Sequence, residues 1–342
     1  MSSRSEAAAP AEPAPSVAGP LRYVVLIVVV TLAAFVYDLR NNGIFACSSS
    51  AANEPGRYLA YCNSGVYNDY DHGAFWFGLE PDAIRAVQSA DALFVGSSRM
   101  QFAFSSRATQ EWFASRNAHF YLLGFSYSEN VLFTGPLLEH LRPQARAYVI
   151  NADRFFETDW TEPADDVVHG DAAESRYRRK RTWQIPHRFL CGTIPGICGD
   201  RIGFVRAAAD GTWTLQGSEG LQPGEIKAAP PQTEKQLAER VAAAKNFVAG
   251  LPVETGCVFL TVVPSGATPW DEAAALADAL GVGLIAPRLD GLHTFDDSHL
   301  DRQSAERWSQ QFFASAGEKI ETCLMRTATD IYHSSASSSA PQ

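Results

Sequence analysis

Two short stretches carry residue types that can do nucleophilic chemistry. Phe295-Asp296-Asp297-Ser298-His299-Leu300 contains an Asp-x-x-His pair, and Gly96-Ser97-Ser98 lies far upstream at the end of an apolar run. A serine hydroxyl needs a base to become a nucleophile. A neutral imidazole, held in the right tautomer by a carboxylate, is such a base. A separation of three residues lets one loop deliver both Asp296 and His299. Together the stretches spell acyl transfer: attack by a serine of the Gly-Ser-Ser turn, proton uptake by His299, orientation by Asp296. Each stretch alone has a plainer reading, a small-residue turn in one case and a helix-capping Asp beside an exposed His in the other. His293 is a competing base, while His72, His119, His140, His169 and His187 read as structural or exposed.

Such groups need elements that bring them together. The runs 91–96, 119–124, 147–151 and 257–263 are short and continuously apolar, the pattern of strands buried on both faces, and 282–286 is a fifth, weaker one. Helical patterns lie between them. Ser105 or Ser106 caps one, Ser126-Tyr127-Ser128-Glu129 has the form of a capping box opening another through about residue 140, and residues 233–249 and 271–280 are Ala-rich. Asp301 caps a last helix presenting Ala305, Trp308 and Phe312 on one side. Strands alternating with helices predict a three-layer α/β/α sandwich around a parallel, flavodoxin-like sheet. The turns after Gly96, Gly124 and Asn151 then meet at the carboxyl ends of the strands, where ligands bind. A serine of Gly96-Ser97-Ser98 sits there near a helix N-terminus, whose partial positive charge favours a developing oxyanion.

The remaining sequence bounds the setting. In 342 residues the formal charge is −10, so no nucleic-acid partner is expected. The basic run Arg176-Tyr177-Arg178-Arg179-Lys180-Arg181 reads first as a solvated face, with an anionic-ligand or lipid-headgroup patch as the alternative. Residues 1–20 read as a disordered cytoplasmic tail. Residues 21–39 read as a transmembrane signal anchor: Tyr23 to Tyr37 is apolar apart from Thr31, and Arg22 can snorkel. The run is shorter than the ~20 residues of a comfortable span, which also suits a signal-peptide core, but no small-x-small cleavage site follows. The expectation is a single pass through the cytoplasmic membrane with the body outside. Residues 40–79 read as a juxtamembrane loop, 80–325 as the catalytic domain with an insertion at 154–230 roofing the strand ends, and 326–342 as a disordered tail. The spacings Cys47/Cys62 and Cys191/Cys198 suit local disulfides of an exported protein, while Cys257 and Cys323 are free or paired. No metal or organic cofactor is expected, since no Cys-x-x-Cys or His-x-x-x-His occurs.

Ordered along the chain, Leu93-Phe94-Val95-Gly96-Ser97-Ser98, Leu123-Gly124, Asn151-Ala152-Asp153 and Asp296-Asp297-Ser298-His299 resemble the blocks of the SGNH/GDSL hydrolase superfamily, over roughly residues 90–315 without the insertion. Within it, the Gly-Ser-Ser turn, the N-terminal apolar run and the phrase from Phe295 to Leu300 look most like the membrane-anchored D-alanyl-lipoteichoic-acid protein D and alginate O-acetyltransferase branches. The resemblance implies Ser98 as nucleophile, His299 as base and Asp296 as its orienting partner, with the N–H groups of Ser98 and Gly124 as oxyanion donors. It also implies cell-envelope polysaccharide or an acyl donor as partner, often beside a membrane-bound acyltransferase. Two departures stand out. Ser97 replaces the usual Asp, and Asp153 falls where the family places an Asn that donates to the oxyanion. An ionised carboxylate cannot donate, and losing one such donor costs ~2.7–4 kcal/mol of transition-state stabilisation. Either Asp153 is protonated or paired with Arg154, or Asn151, on the same strand face, takes over. The expected function is an anchored extracytoplasmic serine esterase or O-acyltransferase. The alternative is a catalytically weak SGNH-fold scaffold of a polysaccharide modification or secretion complex. Tyr127, Trp183 and Trp213 are candidate sugar-stacking aromatics, with core packing their plainer role.

Overall fold

The computed structural model describes residues 18–48, 51–218 and 221–326. In chain order come α1 (Ala18–Asn41), β1 (Arg57–Cys62), β2 (Asn68–Asp69), α2 (Asp71–Trp76), α3 (Pro81–Ser89), β3 (Ala92–Ser97), α4 (Ser98–Phe104) and α5 (Arg107–Ala114). There follow β4 (Phe120–Phe125), α6 (Val131–Leu141), β5 (Ala147–Asn151), α7 (Glu162–His169), α8 (Ala173–Thr193), β6 (Gly203–Ala207) and β7 (Trp213–Gln216). The chain ends with β8 (Gly224–Glu225), α9 (Glu234–Ala249), β9 (Val258–Thr261), α10 (Trp270–Leu280), β10 (Gly283–Leu284), β11 (His293–Thr294) and α11 (Arg302–Met325). The tails read from composition lie outside the described residues, except that α1 already begins at Ala18 and Arg326 follows α11.

The apolar runs pair as one parallel sheet in the order β10-β9-β5-β3-β4. Because side chains alternate across a strand, the sheet feeds two separate cores. Leu93, Val95, Leu123, Ile150 and Leu260 enter one, with Val87 of α3, Leu137 of α6, Ala244 of α9 and Leu276 of α10. Phe94, Leu122, Val149 and Phe259 enter the other, with Phe104 of α4, Phe113 of α5, and Trp308 and Phe312 of α11. Helices therefore cover both faces, which explains why the strands read as unbroken apolar runs.

A second sheet, antiparallel and ordered β2-β1-β6-β7, overturns the reading of residues 40–79 as a loop. Tyr58, Leu59, Ala60 and Cys62 are buried in it. Their partners lie in β6, far along the chain, so no local pattern announced them. Arg206 of β6, fully buried, donates to Leu122 O at 2.6 Å and to Gly124 O, and pairs with Asp71 at 2.7 Å. Those bonds cover the free edge of β4, which would otherwise leave backbone groups unpaired. The disulfides are Cys47–Cys62, Cys191–Cys198 and Cys257–Cys323.

Of the three helix starts read from their caps, two follow them. Ser106 accepts from Thr109 N at 3.1 Å, Asp301 from Ser304 N at 2.7 Å, and Thr233 forms a capping box with Gln236. The box expected at Ser126–Glu129 is absent. Tyr127 and Ser128 take left-handed backbone angles of +62° and +57°, and α6 starts instead at Asn130, which accepts from Leu132 N at 3.0 Å. Glu129 is drawn away by the buried His72, which it meets at 2.6 Å. Among the described residues, Leu21–Asn41 is the one helix long and apolar enough to cross a membrane, a description that a signal sequence fits equally well.

Candidate functional site

Ser98 is the first residue of α4, directly after β3. The glycine before it is a packing requirement: a Cβ on Gly96 would lie 2.9 Å from Asn151 Cβ and 3.3 Å from Met100 Cβ. Ser97 ends the strand by capping α4, accepting from Arg99 N at 3.3 Å. Ser98 is thereby turned out at the carboxyl end of the sheet, where backbone N–H groups of the first helical turn lack carbonyl partners.

His299 and Asp296 arrive on the turn between β11 and α11. Phe295 N donates to His299 O at 2.9 Å, and Asp297 takes φ +63°. Gly266 N donates to Asp297 O at 2.8 Å, and neither Gly224 nor Gly266 has room for a Cβ beside Asp297. The turn is thus clamped from two other loops. The geometry brings all three residues together: His299 Nε2 lies 2.8 Å from Ser98 Oγ, and His299 Nδ1 lies 2.7 Å from Asp296 Oδ2. Asp296 Oδ1 also accepts from Ser298 N at 3.1 Å and His299 N at 2.8 Å. Partial burial alone would raise the Asp296 carboxyl; the hydrogen bonds and charge of His299, with the two backbone donors, outweigh it and hold the group below the ordinary carboxylate range. The imidazole lies flat against Phe295, with ring centroids 5.4 Å apart, and edge-on to Phe102 at 5.0 Å. Phe102 in turn packs on Phe204 and Trp213 of the β6–β7 hairpin. Residues of the 154–230 stretch therefore pack behind the His299 ring.

The expected oxyanion donors fare unequally. Gly124 N–H donates to Gln101 Oε1 at 3.1 Å, so this donor is already engaged. Gln101 reaches on to Gly211 O, which fixes its amide between β4 and the hairpin. Asp153 is an acceptor throughout: from Arg154 N at 2.6 Å, Ser97 Oγ at 3.2 Å and Arg99 Nη1 at 3.4 Å. Its cationic partner is Arg99 rather than Arg154, whose side chain turns away to Glu157 at 2.7 Å. Asn151 remains. Its Oδ1 accepts from Val263 N at 3.0 Å, which fixes the amide's orientation, and its Nδ2 is buried without a protein partner.

Sequence reasoning missed Arg99. Its Nε donates to Ser298 Oγ at 3.0 Å while its Nη1 faces Asp153, so one guanidinium ties the strand end of β5 to the loop carrying His299. Nothing in the sequence marks an arginine after Gly-Ser-Ser as a bridge to residue 298. The other candidate residues are placed as follows. Trp213 is buried and stacked on Phe204 at 4.9 Å, which removes it from sugar stacking. Trp183 stands against Phe45 beside α1, and Tyr127 donates to Asn68 Oδ1 at 2.7 Å. His293 shares the Asp-x-x-His spacing through Asp290, yet it is exposed. His119, His140 and His169 are exposed too, whereas His72 and His187 are buried.

Comparison of the chain with protein-family models, with curated proteins and with solved structures found no match.

Proposed function

We propose that this chain is a serine esterase or O-acyltransferase of the SGNH type, anchored by α1 with its body outside the cytoplasmic membrane, acting on acyl esters of an envelope polysaccharide or exopolysaccharide. The carrying observation is the relay from Ser98 Oγ through the His299 ring to the Asp296 carboxylate. Ser98 Oγ attacks the acyl carbonyl as His299 Nε2 takes its proton, and the leaving alcohol recovers that proton as the acyl-enzyme forms. A sugar hydroxyl, or water, then attacks the acyl-enzyme with His299 again as base, and Ser98 is released protonated. Among the oxyanion donors we favour Ser98 N–H and the Asn151 amide.

Two further observations agree with this reading. Numbered by sequence, the five parallel strands lie in the order 2-1-3-4-5, the flavodoxin-like order of a three-layer sandwich, in which sites form beyond the carboxyl ends of the strands. Three disulfides suit an oxidising compartment, as an extracytoplasmic body requires. A membrane-bound acyltransferase as donor-side partner is part of the same proposal.

A scaffold reading has two observations in its favour, the engagement of Gly124 N–H by Gln101 and of Asp153 by Arg99. A fluorophosphonate probe separates the two. The enzyme reading expects covalent labelling of the wild type and none of Ser98→Ala or His299→Ala. A folded wild type that stays unlabelled would leave the scaffold.

A further inference from the structure

We infer that the chain binds the headgroup of an anionic phospholipid in a cavity where α1 joins the body. The inference rests on α1 being a membrane anchor. On leaving α1 at Asn41 the chain enters the body almost at once: Ile44, Phe45 and Ala46 are buried, and Cys47 is bonded to Cys62. Ala46 O accepts from Arg201 N at 3.1 Å, and His187 Nε2 meets Cys47 O at 3.0 Å. No flexible tether separates helix from body, so the face beside Asn42 lies at headgroup level when α1 spans the bilayer.

On that face a cavity of about 450 Å³ opens between the end of α1, the turn at Gly43–Ala46, and α8. Its walls are apolar, with Leu39, Ile44, Phe45 and Trp183, and its rim is basic, with Arg176, Arg179 and Lys180. The four α8 residues stand at i, i+3, i+4 and i+7, one face of the helix. Most of the charges there have partners within the protein. Arg176 pairs with Asp166, Lys180 donates to Asp69 O and stands over the Tyr177 ring at 4.5 Å, and Asp38 accepts from Asn42 at 2.6 Å. Arg179 is exposed and makes no ion pair among the described residues. An uncommitted guanidinium above an apolar hollow, at the foot of a membrane helix, matches a lipid phosphate whose acyl chains run back into the bilayer. Trp183, 49% exposed at the same opening, is a residue type that settles at the membrane interface.

The test uses the full chain with α1, purified in mild detergent and offered equal amounts of phosphatidylglycerol and phosphatidylcholine. Retained lipid is counted by native mass spectrometry. The wild type should retain phosphatidylglycerol over phosphatidylcholine by about fivefold or more, the factor expected from one basic contact. Arg179→Glu should erase that preference, and Arg85→Glu, exposed on α3, should keep it. Equal retention by the wild type, or an unchanged preference in Arg179→Glu, overturns the inference alone. Release of the chain from cell membranes by alkaline carbonate overturns the anchor reading, and the inference with it.

Discussion

The Asp296 carboxylate accepts from the imidazole and from two backbone N–H groups of its own turn, so the group that orients the His299 ring also shapes the loop presenting it. Asp296→Asn keeps the shape but offers an amide donor to Nδ1, which favours the wrong tautomer. Turnover of p-nitrophenyl acetate should fall by ~10⁴. The pH dependence of stability follows from the depressed carboxyl. Its contribution is complete above the unfolded carboxylate range near ~3.9 and is lost as pH falls through the lower folded value. The gap in melting temperature between wild type and Asp296→Asn should therefore be widest at neutral pH and close in acid. At Asn151 the amide is fixed by Val263 and leaves Nδ2 unpartnered, which in the proposed mechanism makes it the side-chain donor to the oxyanion. Asn151→Ala should lower kcat by ~10²–10³ and change KM little; a matching rise in KM would assign the residue to substrate binding instead. The Asp296 and His299 pair was readable because a spacing of three lets one turn present both. Arg99 was not, because a bridge to Ser298 exists only after two distant loops meet.

Among the elements, β3, β4 and β5 could be read because strands buried on both faces lose all polar alternation. Ser106 and Asp301 could be read because capping is a local hydrogen-bond problem. Ser126–Glu129 satisfied the same local rule and failed it. Glu129 does more as a partner of the buried His72 than as a cap, and long-range pairing won. The β1 strand was lost for the opposite reason, since its tyrosines stand among Asn, Gly and Pro and gain strand character only beside β6. Cys257 and Cys323, left open on sequence, tie the start of β9 to the end of α11. Replacing both with Ala should cost ~2–4 kcal/mol of unfolding free energy, seen as a lower urea midpoint. Since α11 begins just after His299, fluorophosphonate labelling should slow in the same variant.

On the scale of the whole molecule, buried charge holds the two sheets together. His72 lies between Asp69 at 2.9 Å and Glu129 at 2.6 Å, joining the β2–α2 corner to the segment before α6. Burial alone would lower its pKa; the two carboxylates outweigh that and push it up to about 10. A folded value above the unfolded one means the stabilisation is complete below ~6.5 and is lost as pH rises through about 10. The difference in melting temperature between wild type and His72→Gln should be largest near pH ~6 and shrink steadily from ~6.5 up to about 10; a gap that does not change over that range would show that His72 acts by packing alone. By itself the sequence determined what local rules can settle: apolar runs that must be buried, helix caps, the Cys47/Cys62 and Cys191/Cys198 pairs, a candidate membrane span, and the Asp-x-x-His turn. Only the tertiary structure decided the meeting of Ser98 with His299, the second sheet, Arg206 on the edge of β4, the engagement of Gly124, and the place of Arg99. Each of those depends on the distance between groups far apart in the chain, and that distance is a property of packing rather than of order along the sequence.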